Sequence, residues 1–253
     1  MMSKKRGFYS GKKSCLNGCI YCFANFSEKR NYLEAEQLTS DMNIIYPICD
    51  SEIGFQEGNY LDELIKFFDD APGAFVVSIS TKNFWADNDL EKIKEFNLRH
   101  SGKKTIKLSV SFSRKYQLEM FEPRALCYKE RLALLKRITL YAIPTCVLIK
   151  PILPFVDMDE YHSLVRDCFE ICRDFVIGPL YVDRRSKFYH DYVKNKFEAH
   201  LKWCEWLKCE SYYVEADNYE MVKKHICSIG GHCYDSDQDF IDYILKTRGG
   251  DNG

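Results

Sequence analysis

Residues 74–80 read Ala-Phe-Val-Val-Ser-Ile-Ser, and residues 105–112 read Thr-Ile-Lys-Leu-Ser-Val-Ser-Phe. Both are short apolar runs rich in β-branched residues, the pattern of strands buried on both faces of a parallel sheet. Residues 87–100 between them carry a helical period, opened by Asp87 with Glu91 following. Strand, helix and strand make a right-handed crossover unit. The alternation continues outward. Residues 7–9 and 42–48 give two earlier strands, the second with Pro47 near its end, where a strand tolerates it. Residues 145–152 and 175–182 give two later strands. Helices are expected over 27–38, 60–70, 87–100, 128–141 and 157–173, the last opened by Asp157 with Glu160 as in a capping box. Six such units are too few for a closed eight-stranded barrel, so the expected fold is α/β, an open (β/α)6 partial barrel. Ligands of such sheets gather at the C-terminal strand ends.

The core is expected to span residues 1–182. Beyond it the pattern changes: residues 186–208 read as a charged helical stretch carrying Trp203 and Trp206, then a short strand at 212–214, then helices near 218–228 and 237–245. Residues 183–253 are therefore expected to form a mostly helical extension packed on the core, with a frayed Gly-rich tail from 247.

A chain of 253 residues, 46% hydrophobic, suits one sizeable domain. No apolar run approaches the roughly 18 residues of a spanning helix, and the basic start leads into no apolar stretch of a signal peptide. The formal net charge of −1 advertises no global nucleic-acid field. Among the local basic clusters, Lys12-Lys13 and Arg184-Arg185 are the two placed to lie near the active face. Twelve Cys, about 5% of the chain, fall below the roughly 8–10% of a disulfide scaffold. They suit a reducing compartment, the cytoplasm.

Cys15, Cys19 and Cys22 stand in Lys13-Ser-Cys-Leu-Asn-Gly-Cys-Ile-Tyr-Cys-Phe-Ala-Asn25, a C-x3-C-x2-C spacing just after the first strand. Three thiolates on one tight loop can hold three irons of a [4Fe–4S] cluster. Such clusters normally take four Cys, so one iron is left open for chemistry. Three close Cys also suit half of a zinc site. The second halves on offer, Cys204-x4-Cys209 and Cys227-x5-Cys233, match zinc spacing poorly.

The spacing, with aromatic Tyr21 before the third Cys, resembles the radical S-adenosylmethionine (SAM) enzymes. The resemblance implies that the open iron chelates SAM and that one electron cleaves it to methionine and a deoxyadenosyl radical, which takes hydrogen from substrate. A second set of motifs runs through Ser80-Thr-Lys82, Lys107-Leu-Ser-Val-Ser-Phe-Ser113, Phe121-Glu-Pro-Arg-Ala125, Glu130-Arg-Leu132 and Ile149-Lys-Pro-Ile-Leu-Pro154. Their order resembles the spore photoproduct lyase-like group, often labelled DNA repair photolyases; the match covers residues 8–182. It implies the same partial barrel, an external electron donor of flavodoxin or ferredoxin type, and a nucleobase in DNA or RNA as substrate. A peptide substrate, or a glycyl radical enzyme to be activated, is the alternative within the superfamily. A non-catalytic Fe–S or zinc binding module is the alternative outside it.

The cofactor site is expected to draw on Tyr21, Ser80, Lys82, Ser109, Ser111 and Arg124. Lys82, at a strand end, can meet a carboxylate or ribose, or remain a solvated lysine. Ser109, Ser111 and Ser113 alternate on one strand, so one face of them should point into the barrel. Arg124 offers a fork for a carboxylate, or a structural ion pair. Cys49 reads either as a hydrogen donor to a product radical, by analogy with spore photoproduct lyase, or as a core cysteine. The chain lacks the Gly-Gly-Glu seen in many radical SAM enzymes, and Asp50-Ser-Glu52 is expected to supply the acceptor for the SAM ammonium instead. Cys204, Cys209, Cys227 and Cys233 offer an auxiliary cluster, with buried structural thiols as the rival reading.

Overall fold

The structure, a computed structural model, describes residues 5–22, 31–34, 38–204, 209–214 and 216–249. The alternating runs become β1 (Lys5–Phe8), β2 (Met42–Tyr46), α1 (Tyr60–Asp70), β3 (Phe75–Thr81), α2 (Asp87–His100), β4 (Lys104–Phe112), α3 (Leu118–Phe121), α4 (Tyr128–Leu140), β5 (Val147–Ile149), α5 (Met158–Phe169) and β6 (Asp174–Ile177). The six strands pair in chain order, all parallel. This is the expected open α/β partial barrel.

Side-chain alternation divides the sheet into two faces. Val77, Ile79, Leu108, Val110, Val147 and Ile149 point outward into the main core, against α1, α2, α4 and α5. Ile44, Val76, Cys146, Leu148 and Val176 point inward and meet a different partner.

That partner comes from the C-terminal segment. After β7 (Leu180–Val182), β8 (Ala199–Cys204), β9 (Cys209–Val214) and α6 (Asp217–Ser228), the short β10 (His232–Tyr234) joins the parallel sheet beside β6 as its seventh strand. Helix α7 (Asp237–Gly249) then places Phe240, Ile241 and Ile244 on the inward face. It fills the lumen at the N-terminal strand ends. Its first residue carries a charge into that lumen: Asp237 pairs with fully buried Lys107 at 2.6 Å and accepts from the Ser78 hydroxyl at 2.7 Å. Burial opposes both charges; Asp237 overcomes it for Lys107, and Lys107 together with Lys150 overcomes it for Asp237, so Lys107 is shifted up and Asp237 down.

Several local expectations differ. The sixth strand, expected over 175–182, breaks after Ile177. A Cβ on Gly178 would lie 2.8 Å from the Lys150 stem, and Pro179 has no N–H for a ladder. The chain turns there into β7, the edge of a separate antiparallel sheet ordered β7-β9-β8. Of residues 186–208, read as helical, 205–208 lie outside the described residues; the described part holds a π-type turn (Tyr189–Val193) and then strand β8. Leu201 and Trp203 sit opposite Tyr212 and Glu210 in its pairing, where large side chains favour a pleated surface. The helix expected over 27–38 falls largely outside the described residues; its described part, 31–34 and 38, is not helical. The tail expected to fray from 247 continues as helix to Gly249. Asp157 caps α5 by accepting from Asp159, but Glu160 turns away to Arg114 and the backbone of Lys115 and Tyr116. A reciprocal box forms instead at Cys127 and Glu130.

The lumen ion pair yields a stability prediction. Removing one partner strands the other charge in a dry site, so Lys107→Met should cost roughly 3–5 kcal/mol in urea unfolding. The double variant Lys107→Met/Asp237→Leu should recover most of that loss. A single variant as stable as the parent would show that the pair does not hold α7 in place.

Candidate active site

The three-cysteine loop follows β1 directly and is clamped from two sides. On one side, the backbone N–H of Gly11 donates to Asp50 at 2.8 Å, and Gln56 bonds Lys13 through both its N–H and its carbonyl. Asn17 donates to Glu52 at 3.1 Å. On the other side, Ile20 N–H donates to Phe121 O at 3.0 Å, and Arg124 N–H to Asn17 O at 3.2 Å. Gly18 takes φ +66°, and a Cβ there would lie 3.2 Å from the Arg124 guanidinium. The positive φ favours glycine there, and the guanidinium is the neighbour a side chain would have to push aside.

Within this clamp Cys19 is buried, while Cys15 and Cys22 are half-buried. Burial pushes the Cys19 thiol up to about 12 and raises Cys15 as well. The fields of the three reach one another: Cys15 and Cys19 each feel Cys22. Among the described residues, no group of three His, Cys, Asp or Glu is gathered closely enough to hold a metal ion. The donor set nonetheless suits iron, because ligation takes the thiol proton and replaces it with the metal's charge. A loop fixed at both flanks, offering three soft donors beside a lysine, fits a cluster better than a zinc site needing a fourth ligand.

Behind the loop lies a buried carboxylate that the sequence reading passed over. Glu122, with no exposed side-chain surface, accepts from Tyr21, from Arg131 and from Ser113 at 2.5 Å. Lys82 completes the group at 3.1 Å from Glu122, 2.6 Å from the Tyr21 hydroxyl and 3.6 Å from the Cys19 sulfur. Burial alone would raise the Glu122 carboxyl. Lys82, Arg131 and the two hydroxyl donors overcome it and hold it at about 2. Lys82 is pushed the other way, well above the ordinary lysine range, because Glu122 and Tyr21 outweigh its burial.

The expected cofactor residues fall at different depths. Tyr21 and Lys82 belong to this network, so the Lys82 charge is already matched. Ser80 is exposed at the C-terminal end of β3, and Ser111, buried on β4, donates to Lys150 O at 3.4 Å. Ser109 lies deeper, 3.2 Å from the Cys146 sulfur. Arg124 is exposed over Gly18. Cys49 is half-buried, its thiol 3.7 Å from Tyr46 O. Glu52, expected to meet the SAM ammonium, spends its oxygens on Asn17, Thr81 and the Lys82 N–H. It braces the loop from below. Cys204 and Cys209 face each other across β8 and β9, while Cys227 and Cys233 sit at the α6–β10 corner.

An aromatic cluster closes over the loop. Phe188 meets Tyr21 edge-on at 6.2 Å, stacks on Tyr192 at 5.3 Å and neighbours Phe155, which stacks on Phe121. The only signal for Glu122 was its place between Phe121 and Pro123; its partner Arg131 lies one helix away, invisible to spacing.

No family model matches the sequence, and no curated protein does. Solved structures do match. A spore photoproduct lyase variant shares the fold over 90% of this chain and 74% of its own, at 16% identity and TM-score 0.64. Spore photoproduct lyase complexed with dinucleoside spore photoproduct matches over the same shares at TM-score 0.60 and 16% identity. Streptococcus suis SuiB bound to S-adenosylmethionine matches at TM-score 0.55 and 12% identity, over 90% of this chain and 49% of SuiB. At these identities the likeness establishes the shared fold.

The Glu122 network makes an acid-stability prediction. Its carboxyl drops from an ordinary 4.5 to about 2 on folding, so the unfolded state binds more protons. The stabilisation is complete above the unfolded value and is lost as pH falls toward 2. Glu122→Gln should therefore lower stability at pH 7 by about 3 kcal/mol and flatten the dependence across that acid window. Chemical unfolding at a series of pH values tests this; an unchanged slope would remove Glu122 from the role.

Proposed function

We propose that the chain is a radical SAM enzyme, with a [4Fe–4S] cluster held by Cys15, Cys19 and Cys22, acting on a nucleobase in DNA or RNA. The observation that carries this reading is a C-x3-C-x2-C loop, clamped at the C-terminal ends of a parallel partial barrel whose fold is shared with spore photoproduct lyase. When bound, the cluster supplies the electron that cleaves SAM and so generates the hydrogen-abstracting radical. The chain's own residues hold and screen. Asn17, Glu52 and Phe121 fix the loop. Ser80 and Ser111 offer hydroxyls at the strand ends, and Arg124 stands over the loop at Gly18. The Phe188–Tyr192–Phe155 cluster keeps water from the loop's inner side. Cys49, beside Tyr46, is the proposed hydrogen donor to a product radical.

An external donor of flavodoxin or ferredoxin type supplies the electron in this reading. All twelve cysteines are free in the structure, which suits a reducing compartment such as the cytoplasm. No helix among the described residues is long and apolar enough to cross a membrane.

A nucleobase substrate is supported by the dinucleoside bound to the structural neighbour and by Arg184, whose guanidinium lies 4.9 Å from the Tyr212 ring centroid. The other basic candidates are partly neutralised: Arg185 is engaged by Asp183, and Lys13 by Glu57 at 2.6 Å.

Two measurements test the reading. Anaerobically reconstituted protein should hold roughly four irons per chain, and after reduction should convert SAM slowly to 5′-deoxyadenosine. Replacing Cys15, Cys19 and Cys22 together with Ala should remove the reduced-cluster EPR signal and that product. Persistence of either would place the cluster elsewhere. For substrate class, a short single-stranded oligonucleotide should bind with a shallow salt slope, roughly −0.7 for each phosphate engaged. Arg184→Glu should weaken it far more than Arg185→Glu. Absence of binding at low salt with SAM present would favour a peptide or protein substrate.

A further inference from the structure

Lys82 and Lys107 are both in direct contact with buried carboxylates. Lys150 shares the field of Asp237 but touches no carboxylate. Its Nζ makes no hydrogen bond and no ion pair among the described residues. On β5 and its flanks, Cys146 and Leu148 face α7 across the lumen while Val147 and Ile149 face the helices. Alternation therefore turns Lys150 inward, toward the C-terminal mouth. There its stem lies across Gly178, whose missing side chain makes the room: a Cβ would sit 2.8 Å from the lysine's Cγ and Cε.

The surroundings do not neutralise it. Asp237 is the largest opposing charge, but one of its oxygens is held by Lys107 and the other by Ser78. Asp239 adds weaker attraction, and Lys107 repels. The sum leaves Lys150 shifted down, chiefly by burial. A half-buried ammonium of this kind costs free energy unless something matches it, and the nearby Ser111 hydroxyl donates to the Lys150 backbone carbonyl rather than meeting the ammonium. Helix α7 packs on the inward face below, so a ligand of Lys150 would have to approach from the opposite end, the one that carries the cysteine loop.

We propose that Lys150 is the anion-binding residue of the barrel lumen, receiving a carboxylate or phosphate oxygen of a ligand seated above α7. This rests on the radical SAM reading and deepens it. Two sources supply that chemistry: the α-carboxylate of SAM, or a phosphodiester of the substrate.

Binding to the anaerobically reconstituted full chain decides, measured by calorimetry with four probes: SAM, its decarboxylated analogue, a dinucleoside monophosphate, and the free nucleosides. Lys150→Met should lose roughly ten- to hundredfold in affinity for one anion-bearing probe, the range of a charge-assisted bond, and should lose none for the counterpart that lacks the anion. Lys150→Arg should restore it, and Gly178→Ala, which displaces the stem, should reproduce the selective loss. A loss confined to SAM assigns the carboxylate; one confined to the dinucleoside assigns the phosphate. Equal losses for the anion-bearing probes and for those that lack the anion, or no loss at all, would overturn the proposal. A parent protein that ignores SAM yet binds the dinucleoside through Lys150 would sink the cofactor reading and leave this one standing. Binding none of the four would end both.

Discussion

The buried charge of Glu122 is the constraint around which the mouth of the barrel is built. A carboxylate with no exposed surface cannot remain ionised without cations and donors in contact. Each donor comes from a different part of the chain: Tyr21 from the cysteine loop, Lys82 from the end of β3, Ser113 from the end of β4, and Arg131 from α4. Satisfying one carboxylate therefore fixes four elements relative to one another. The cysteine loop inherits this rigidity through Tyr21 and through the backbone bond to Phe121, the residue before Glu122.

A second buried pair does the same for the other end of the lumen. Lys107 and Asp237 join β4 to α7, a connection across 130 residues of sequence. Apolar contacts of Phe240, Ile241 and Ile244 bring the helix to the inward face, but they would tolerate sliding along it. A charge pair in a dry site does not, because displacement leaves both charges unmatched. The lumen is thereby divided into a filled floor and an open mouth. Parallel α/β sheets generally place ligands at the C-terminal strand ends, the end of the lumen opposite the one that α7 fills.

The parts of this arrangement legible in the sequence are those written in local pattern. Alternating apolar runs announced β2 to β6 and their helices, because burial on both faces leaves a continuous signature. The cysteine loop was legible from its spacing, and the inward face of Ser109 and Ser111 from the period of a strand. What was not legible depends on long-range pairing. Glu122 and Arg131 are ordinary charged residues until the fold buries them together. Strand β10 has three residues, too few to show a period, and is a strand only because β6 offers an unpaired edge. Residues 186–208 are charged enough to suggest a helix; the strand character of residues 199–204 comes from cross-strand pairing with Tyr212 and Tyr213, which helical periodicity does not reveal.

The same distinction separates structural from functional cations in this molecule. Lysine at a strand end is a natural candidate for a ligand's anion, and by sequence Lys82 and Lys150 qualify alike. The structure tells them apart by what they already touch. Lys82 is held by a carboxylate and a phenol, so drawing it to a ligand would strand Glu122 with one cation fewer and loosen the loop that Tyr21 anchors. Lys150 can turn to an incoming anion without breaking any such contact, and the absent side chain at Gly178 is what gives it the path. Matched charge holds the barrel together, and the unmatched one is left for chemistry that arrives from outside.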